Sequence, residues 1–313
     1  MDYLLLLGAC FFFSLQFIFQ KLFEQRTKSG LSVSLWNVFM SCTVSALFLL
    51  IKAGFPQKIT GAALVIAALY AASSLVCTVS SIGAMRFGSI SVISTYCLAG
   101  GMVLPFFYGI IFLEEPSSIW KWLGIIVLCA SLFPSVAASG KDSEKSDSKS
   151  RTCFFILCIL IFFSNGFVSI FSKMHQISKS AIDENHFVMI ASVITLTAAL
   201  ILKLISSASK SASDKNAFRN EFIEIGKCKM TVLLFVILIV LSGGYAICNA
   251  VGNLFSLACM VTMDASIQFP VLSAVIIIFS AIFGRVFFRE KFTKPTIISL
   301  LLAVAGIALF AIN

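Results

Sequence analysis

Two long apolar stretches, residues 60–113 and 231–284, each contain a single charged residue. The charge is Arg86 in the first stretch and Asp264 in the second. A helix needs about 20 apolar residues to cross the hydrocarbon core, so each stretch has room for two spans with the charge at the turn between them. The chain therefore looks like two copies of one membrane unit.

The composition indicates that most of the chain is dissolved in lipid. Of its 313 residues, 59% are hydrophobic and 12% are charged, and the mean hydropathy is +1.02, which is more apolar surface than a water-soluble core can bury. Windows of about 19 residues predict an all-α membrane protein with ten transmembrane helices. The predicted spans are 3–21, 31–51, 61–85, 88–112, 118–138, 153–173, 184–205, 230–258, 264–288 and 294–312.

The net charge of +9 arises from Lys and Arg residues in predicted loops and at span ends, so it predicts contact with lipid headgroups and not with nucleic acid. If all ten spans cross the membrane, 18 of the 23 basic residues fall on one face. The other five are Lys52, Lys58, Lys121, Lys173 and Lys179. The positive-inside rule then makes the heavier face cytoplasmic and places both chain ends outside.

The two halves of the chain can be superposed by sequence. A shift of 176 residues sets Glu114 and Ser117 on Glu290 and Thr293, where the Ser or Thr is predicted to cap the last helix of each half. Five spans per half require the second copy to enter from the opposite face, which makes an inverted repeat. We predict a first repeat over residues 1–138, a polar linker over 139–151 and a second repeat over 152–313. The second repeat carries a surface loop at 206–229, which is either a short amphipathic helix or disordered.

These features resemble the EamA-type transporters of the drug/metabolite transporter (DMT) superfamily. Each half has a Lys at the end of its first span (Lys21, Lys173) and an acidic residue followed by Ser or Thr before its last span. The resemblance covers nearly the whole chain. It implies a ten-helix carrier in the cell (inner or plasma) membrane that exports small organic solutes by alternating access. It also implies a central cavity lined by spans 1, 3, 4, 6, 8 and 9, and cytoplasmic termini, opposite to the count of basic residues.

Polar side chains recur at helical spacing on these spans. Tyr245, Asn249 and Asn253 follow one another at intervals of four, which places them on one face of an otherwise apolar helix. Amides inside a membrane need hydrogen-bond partners, so they either join helices to each other or line a cavity. The predicted substrate-binding residues are Gln16, Gln20, Tyr70, Ser74, Tyr96, Asn165, Ser169, Tyr245, Asn249, Asn253 and Gln268.

The residue types favour a neutral or zwitterionic polar solute, such as an amino acid, because no acidic residue lies deep inside a predicted span. Lys21 and Lys173 could instead bind an anionic or nucleotide-sugar-type solute, although lysines at span ends more often extend to the interface. A non-transporting membrane sensor or scaffold would leave the same sequence.

No catalytic residue, metal site or cofactor is predicted. The ten cysteines show no metal-ligand spacing and are predicted to be small buried residues, and the sequence contains no intramembrane protease or hydrolase motif. The predicted partners are therefore a small-molecule solute and the lipid bilayer, for a monomer or homodimer. We do not expect an enzyme.

Overall fold

The computed structural model describes residues 2–26, 31–56, 58–84, 90–139, 148–208, 231–289 and 294–312. Within these ranges the chain forms ten helices and no strand. The helices are α1 (Asp2–Arg26), α2 (Leu31–Ala53), α3 (Gly61–Ala84), α4 (Ile90–Phe112), α5 (Ile119–Ser139), α6 (Ser148–Ile177), α7 (Glu184–Ala208), α8 (Thr231–Met260), α9 (Ala265–Phe288) and α10 (Lys294–Ala311).

Eight of the described helices are long and apolar enough to cross a membrane, and they are α1 to α4 and α6 to α9. In α5 and α10 the apolar stretches are shorter, Ile119–Pro134 and Lys294–Phe310. The sequence-based prediction of a helical, multi-pass membrane protein is therefore confirmed.

The helix boundaries follow the sequence signals closely. Asp264 lies at the N-cap of α9, in the short turn that follows the end of α8 at Met260, so this lone charge marks a turn as predicted. Arg86 lies outside the described residues, between the end of α3 and the start of α4. Helix α6 begins at Ser148, within the segment we assigned to the linker. Most of the surface loop predicted at 206–229 also lies outside the described residues.

Hydroxyl and carboxylate side chains cap several helices. The Thr60 hydroxyl accepts a hydrogen bond from Ala63 N at 3.3 Å at the start of α3, and Asp183 Oδ1 accepts one from Asn185 N at 2.9 Å at the start of α7. At α5 the capping hydroxyl belongs to Ser118, which accepts a hydrogen bond from Lys121 N at 3.4 Å. The cap of α5 is thus one residue later than the predicted Ser117.

The helices pack in a regular set of pairs. Helix α1 packs on α8 and α9, while α6 packs on α3 and α4. Helix α2 packs on α7 and α8, and α3 packs on α7. The remaining large contacts join α4 to α9 and α5 to α10.

Glycines allow the closest of these approaches. Between α1 and α8 an aromatic ring covers Gly8, Gly244 and Gly252. A Cβ added at Gly252 would lie 3.0 Å from the Phe13 ring, and one at Gly244 would lie 2.5 Å from the Phe19 ring. Between α4 and α6 the contact is backbone on backbone, because a Cβ at Gly100 would lie 2.8 Å from Phe162 Cα. Small residues at such positions are how helices associate within a membrane.

Apolar side chains pack together near one end of the bundle. We call it the N-terminal end, because α1 begins there. Its contacts join Asp2 to Cys259, Thr60 to Ser180 and Glu115 to Ala265. A buried cluster just beneath it draws on α2, α3, α7, α8 and α9. Its members include Leu49, Ala67, Phe187, Leu257, Met260 and Phe269.

Candidate functional site

Three of the predicted site residues form a continuous chain of amides between α1 and α8. Asn249 Nδ2 donates to Gln16 Oε1 at 2.8 Å, and Asn253 Nδ2 donates to Asn249 Oδ1 at 3.0 Å and to Asn249 O at 2.8 Å. Gln16 is buried and the two Asn side chains are half-buried. We call Gln16, Asn249 and Asn253 the amide chain.

The amide chain is uncharged and carries both donors and acceptors. Two of its hydrogen bonds join one side chain to another, so neither partner is fixed by the backbone geometry of a helix. Such bonds can be exchanged for bonds to a bound polar molecule at little net cost, because donor and acceptor are both satisfied before and after the exchange.

A second polar position lies on α9. Gln268 is fully buried, and its Nε2 donates to Ser256 O at 2.8 Å and lies 3.4 Å from Ser256 Oγ. Its Oε1 is one of three buried side-chain atoms in the described residues that have no hydrogen-bond partner. A buried acceptor without a donor is costly and uncommon, which singles out Gln268 among the predicted residues.

Two of the three predicted tyrosines, Tyr70 on α3 and Tyr245 on α8, lie near each other. Tyr245 lies near Tyr70 and near the thiols of Cys42, Cys77 and Cys97. The Tyr70 ring also packs edge-on against Phe187, with the ring centroids 5.6 Å apart. Tyr245 therefore lies in a region where α8 meets α2, α3 and α4.

The other predicted residues are less directly connected to the amide chain. Asn165 Nδ2 donates to Cys97 O at 2.7 Å and so joins α6 to α4, while the Ser169 hydroxyl bonds to the backbone of its own helix, at Asn165 O. Ser74 O accepts a hydrogen bond from Thr78 within α3. Gln20 and Tyr96 are half-buried on α1 and α4.

A charged cluster at the N-terminal end was not predicted from the sequence. Glu115 accepts hydrogen bonds from Ala265 N at 2.7 Å and Ser266 N at 2.8 Å, both in the first turn of α9. The buried Lys121 ammonium donates to Pro116 O at 2.5 Å and lies 3.5 Å from Asp264 Oδ2. The signal that could have revealed it is Lys121, a charge placed inside a predicted span.

Lys173 belongs to the same cluster. Its Nζ donates to Met260 O at 2.7 Å and to Met263 O at 2.6 Å, and the side chain is only 5% exposed. The ammonium therefore satisfies carbonyls at the C-terminus of α8, where a cation is favourable. In this conformation the ammonium is buried against the end of α8 and its two partners are backbone carbonyls, not members of the amide chain.

In a described loop outside the spans, Asp183 has surroundings that favour its charged form. Burial by itself raises the pKa of Asp183, but hydrogen bonds from Asn185 and His186 bring it below its usual value. The carboxylate caps α7 on the loop that also supplies Ser180 O to Thr60. This group is a structural part of the N-terminal end.

The fold and these polar contacts define an all-helical, multi-pass membrane protein with hydrogen-bonded amides between its helices. No protein-family model matches the sequence, and no curated protein matches it. In fold, 28 chains of solved structure match. One of them, described as "Crystal structure of protein", has a TM-score of 0.67 and 10% identity over 98% of this chain and 95% of that chain. This likeness shows that the fold recurs over its full length.

Proposed function

We propose that this chain is a transporter of small neutral or zwitterionic polar solutes, such as amino acids, and that it works by alternating access. The observation that carries the proposal is the amide chain between α1 and α8, since its side-chain hydrogen bonds can be exchanged for bonds to a solute. Gln268 Oε1 offers a buried acceptor to an ammonium or hydroxyl group of the solute. Polar groups at membrane depth are typical of solute pathways.

The pattern of helix pairs supports two five-helix repeats. Each helix of one half corresponds to the helix five numbers away in the other half, so that α1 corresponds to α6 and α8 to α3. Under this correspondence the α1–α8 contact becomes α6–α3, α1–α9 becomes α6–α4 and α2–α8 becomes α7–α3. All of these contacts occur. The contacts α2–α7, α4–α9 and α5–α10 map onto themselves. An odd number of spans per repeat turns the second copy over, and inverted repeats of this kind are an architecture of transporters. We infer ten spans, with α5 and α10 as the fifth span of each repeat.

The charges favour an uncharged or zwitterionic solute over an anion. Among the described residues, the acidic side chains lie at helix ends or in loops, and the Lys173 ammonium already has two carbonyl partners. An anionic solute would have to break both of those bonds. The binding groups nearest the amide chain are then amides, hydroxyls and tyrosines.

The remaining parts of the proposal rest on resemblance. We place the protein among the EamA-type transporters of the DMT superfamily, in the cell membrane, as an exporter and not an enzyme. The two repeats, the Lys at the end of each first span and the acidic residue before each last span support this placement.

The test begins with ligand-induced changes in thermal stability of the purified protein. A panel of amino acids, amines, sugars, nucleotides and nucleotide sugars is compared on the native chain and on Asn249→Ala with Gln268→Ala. Asn185→Ala is the matched control, since this amide bonds only to the exposed Asp183 loop. A ligand that stabilises the native chain and the control, but not the double variant, supports the site.

Transport itself is tested by solute counterflow in proteoliposomes. Uptake of labelled solute driven by unlabelled solute inside would separate a transporter from a sensor or scaffold. Binding without counterflow would contradict the proposed function and leave a binding protein. A shift that is equal in the native chain and the double variant would contradict the site.

A further inference from the structure

The turn between α8 and α9 is held from three sides at the N-terminal end. The loop before α5 supplies Glu115, whose two carboxylate oxygens accept hydrogen bonds from Ala265 N and Ser266 N. Lys121 on α5 lies 3.5 Å from Asp264, and Lys173 on α6 donates to Met260 O and Met263 O. Every one of these contacts crosses between elements that are far apart in the sequence.

The position of Glu115 is built into the backbone around it. Glu114 adopts a left-handed conformation, with φ +53°, and Glu115 N donates to Gly109 O at 3.1 Å, which folds the loop back onto α4. A Cβ at Gly109 would collide with Glu115 Oε2 and would lie 3.0 Å from Ser266 N. Only a glycine at position 109 leaves room for the carboxylate against the first turn of α9.

This contact lies next to a buried apolar cluster. Beneath the turn, Leu257, Met260 and Phe269 pack in the buried cluster that also includes side chains of α2, α3 and α7. The amide chain lies further along α8, toward its N-terminus. Separation of the α8–α9 turn from the loop after α4 and from α6 would loosen this packing between the amide chain and the N-terminal end.

Asp264 supplies a second, unused partner for the start of α9. It occupies the N-cap position, where Asp is a preferred residue, yet its side chain makes no capping hydrogen bond and faces Lys121 instead. If the Glu115 carboxylate moves away from α9, the Asp264 carboxylate can accept hydrogen bonds from the N–H groups that are freed at the start of this helix. The Lys121 ammonium can then pair with Glu115 in place of Asp264. The first turn of α9 thus has two alternative carboxylates, one from another element and one of its own.

We propose that Glu115 is the latch of a gate at the N-terminal end, and that the gate opens when α9 exchanges the Glu115 carboxylate for that of Asp264. This inference rests on the proposed transport function, because a gate needs a solute to admit. Exchange between two satisfied partners lets the turn move without leaving the helix N-terminus bare, which keeps the two states close in free energy.

The proposal predicts opposite effects for the two carboxylates. Glu115→Gln removes the charge-assisted bonds of the closed state and opens the gate, whereas Asp264→Ala removes the competing cap and keeps it closed. Gly109→Ala opens the gate by displacing the Glu115 side chain without changing any charge. Glu114→Gln is the matched control, because this neighbouring carboxylate is exposed.

The experiment measures access to a thiol placed behind the gate. Ser256→Cys is introduced into the native chain and each variant, and a membrane-impermeant maleimide is added to proteoliposomes whose N-terminal tag faces outward. Peptide mass spectrometry separates labelling at position 256 from labelling of the native cysteines. Glu115→Gln and Gly109→Ala are expected to be labelled roughly 10-fold to 100-fold faster than the native chain, in proportion to the loss of hydrogen bonds to a charged group. Asp264→Ala is expected to be labelled more slowly, and Glu114→Gln at the native rate.

Two results would overturn the latch. The first is that Glu115→Gln and Gly109→Ala are labelled at the same rate as the native chain, while thermal unfolding shows that at least one of them is folded. The other is faster labelling in all four variants, since a merely structural cluster would be loosened by any of them. Thiol labelling does not require a solute, so the two proposals can fail separately. If the labelling pattern is as expected but no counterflow is measured, only the transport proposal is contradicted. Counterflow with unchanged labelling contradicts the latch alone.

Discussion

The contact between α1 and α8 and the contact between α4 and α6 are both tight, but they are built from different atoms. On α1 and α8, rings cover glycines and amide side chains bond to each other. On α4 and α6, backbone lies against backbone at Gly100, and Asn165 bonds to a main-chain carbonyl. Side chains can rotate and change partners, whereas a helix backbone cannot, so the first contact suits a binding site and the second suits a fixed support.

The largest expected effect is at Gly100. Gly100→Ala places a Cβ against the Phe162 backbone, which cannot move aside, so the free energy of unfolding should fall by about 3 kcal/mol. Gly243→Ala is the control, because a Cβ there meets nothing within 4 Å, and it should raise stability by up to about 1 kcal/mol. Denaturant unfolding in detergent measures both. Equal losses in the two variants would contradict a special role for the close approach at Gly100.

A smaller effect is expected at Gly244, where the obstacle is a ring. Gly244→Ala should lower the free energy of unfolding by about 1–2 kcal/mol, since the Phe19 ring, 2.5 Å from the added Cβ, can rotate away. Phe19→Leu in the same chain should recover part of this loss. A double-mutant cycle in the same unfolding assay gives the coupling energy. No coupling would mean that the two helices separate as rigid bodies.

Removing the side-chain amide of Asn165 or of Asn249 should affect stability equally but solute binding differently. Asn165→Ala and Asn249→Ala each remove one interhelical donor and should each lower stability by about 1 kcal/mol. Only Asn249→Ala should also weaken solute binding, by about tenfold, which corresponds to about 1.4 kcal/mol. Isothermal titration with the best ligand of the panel measures the difference. Equal weakening by Asn165→Ala would extend the site to α6.

The smallest expected change in stability comes from removing single serine hydroxyls, one that bonds to another helix and one that bonds within its own helix. The Ser242 hydroxyl on α8 donates to Asn37 Oδ1 of α2 at 2.7 Å, whereas the Ser172 hydroxyl on α6 donates to Val168 O of its own helix at 2.9 Å. Ser242→Ala should cost about 0.6 kcal/mol, the typical worth of such a bond in a membrane, and Ser172→Ala close to nothing. The reverse order, measured by unfolding, would assign Ser172 a contact with another helix.

Much of the helix pattern could be predicted because it depends on local composition. Runs of apolar residues set the spans, and the lone Asp264 marked a turn because a charge is costly inside the bilayer. The amide chain was predicted in part, since intervals of four on α8 place Asn249 and Asn253 together. The same spacing rule could not say that Gln16 is the partner, because α1 and α8 meet only after the whole bundle has formed.

The sequence by itself determined that the chain is a helical, multi-pass membrane protein and, to within a few residues, where its helices lie. Those properties follow from burial of apolar residues and from hydrogen bonding within a helix, which involve near neighbours only. The tertiary structure alone decided that Lys173 caps α8 and that Glu115, not Asp264, bonds to the first turn of α9. A charged side chain takes the nearest partner in space, and for these residues that partner lies 87 and 150 positions away along the chain.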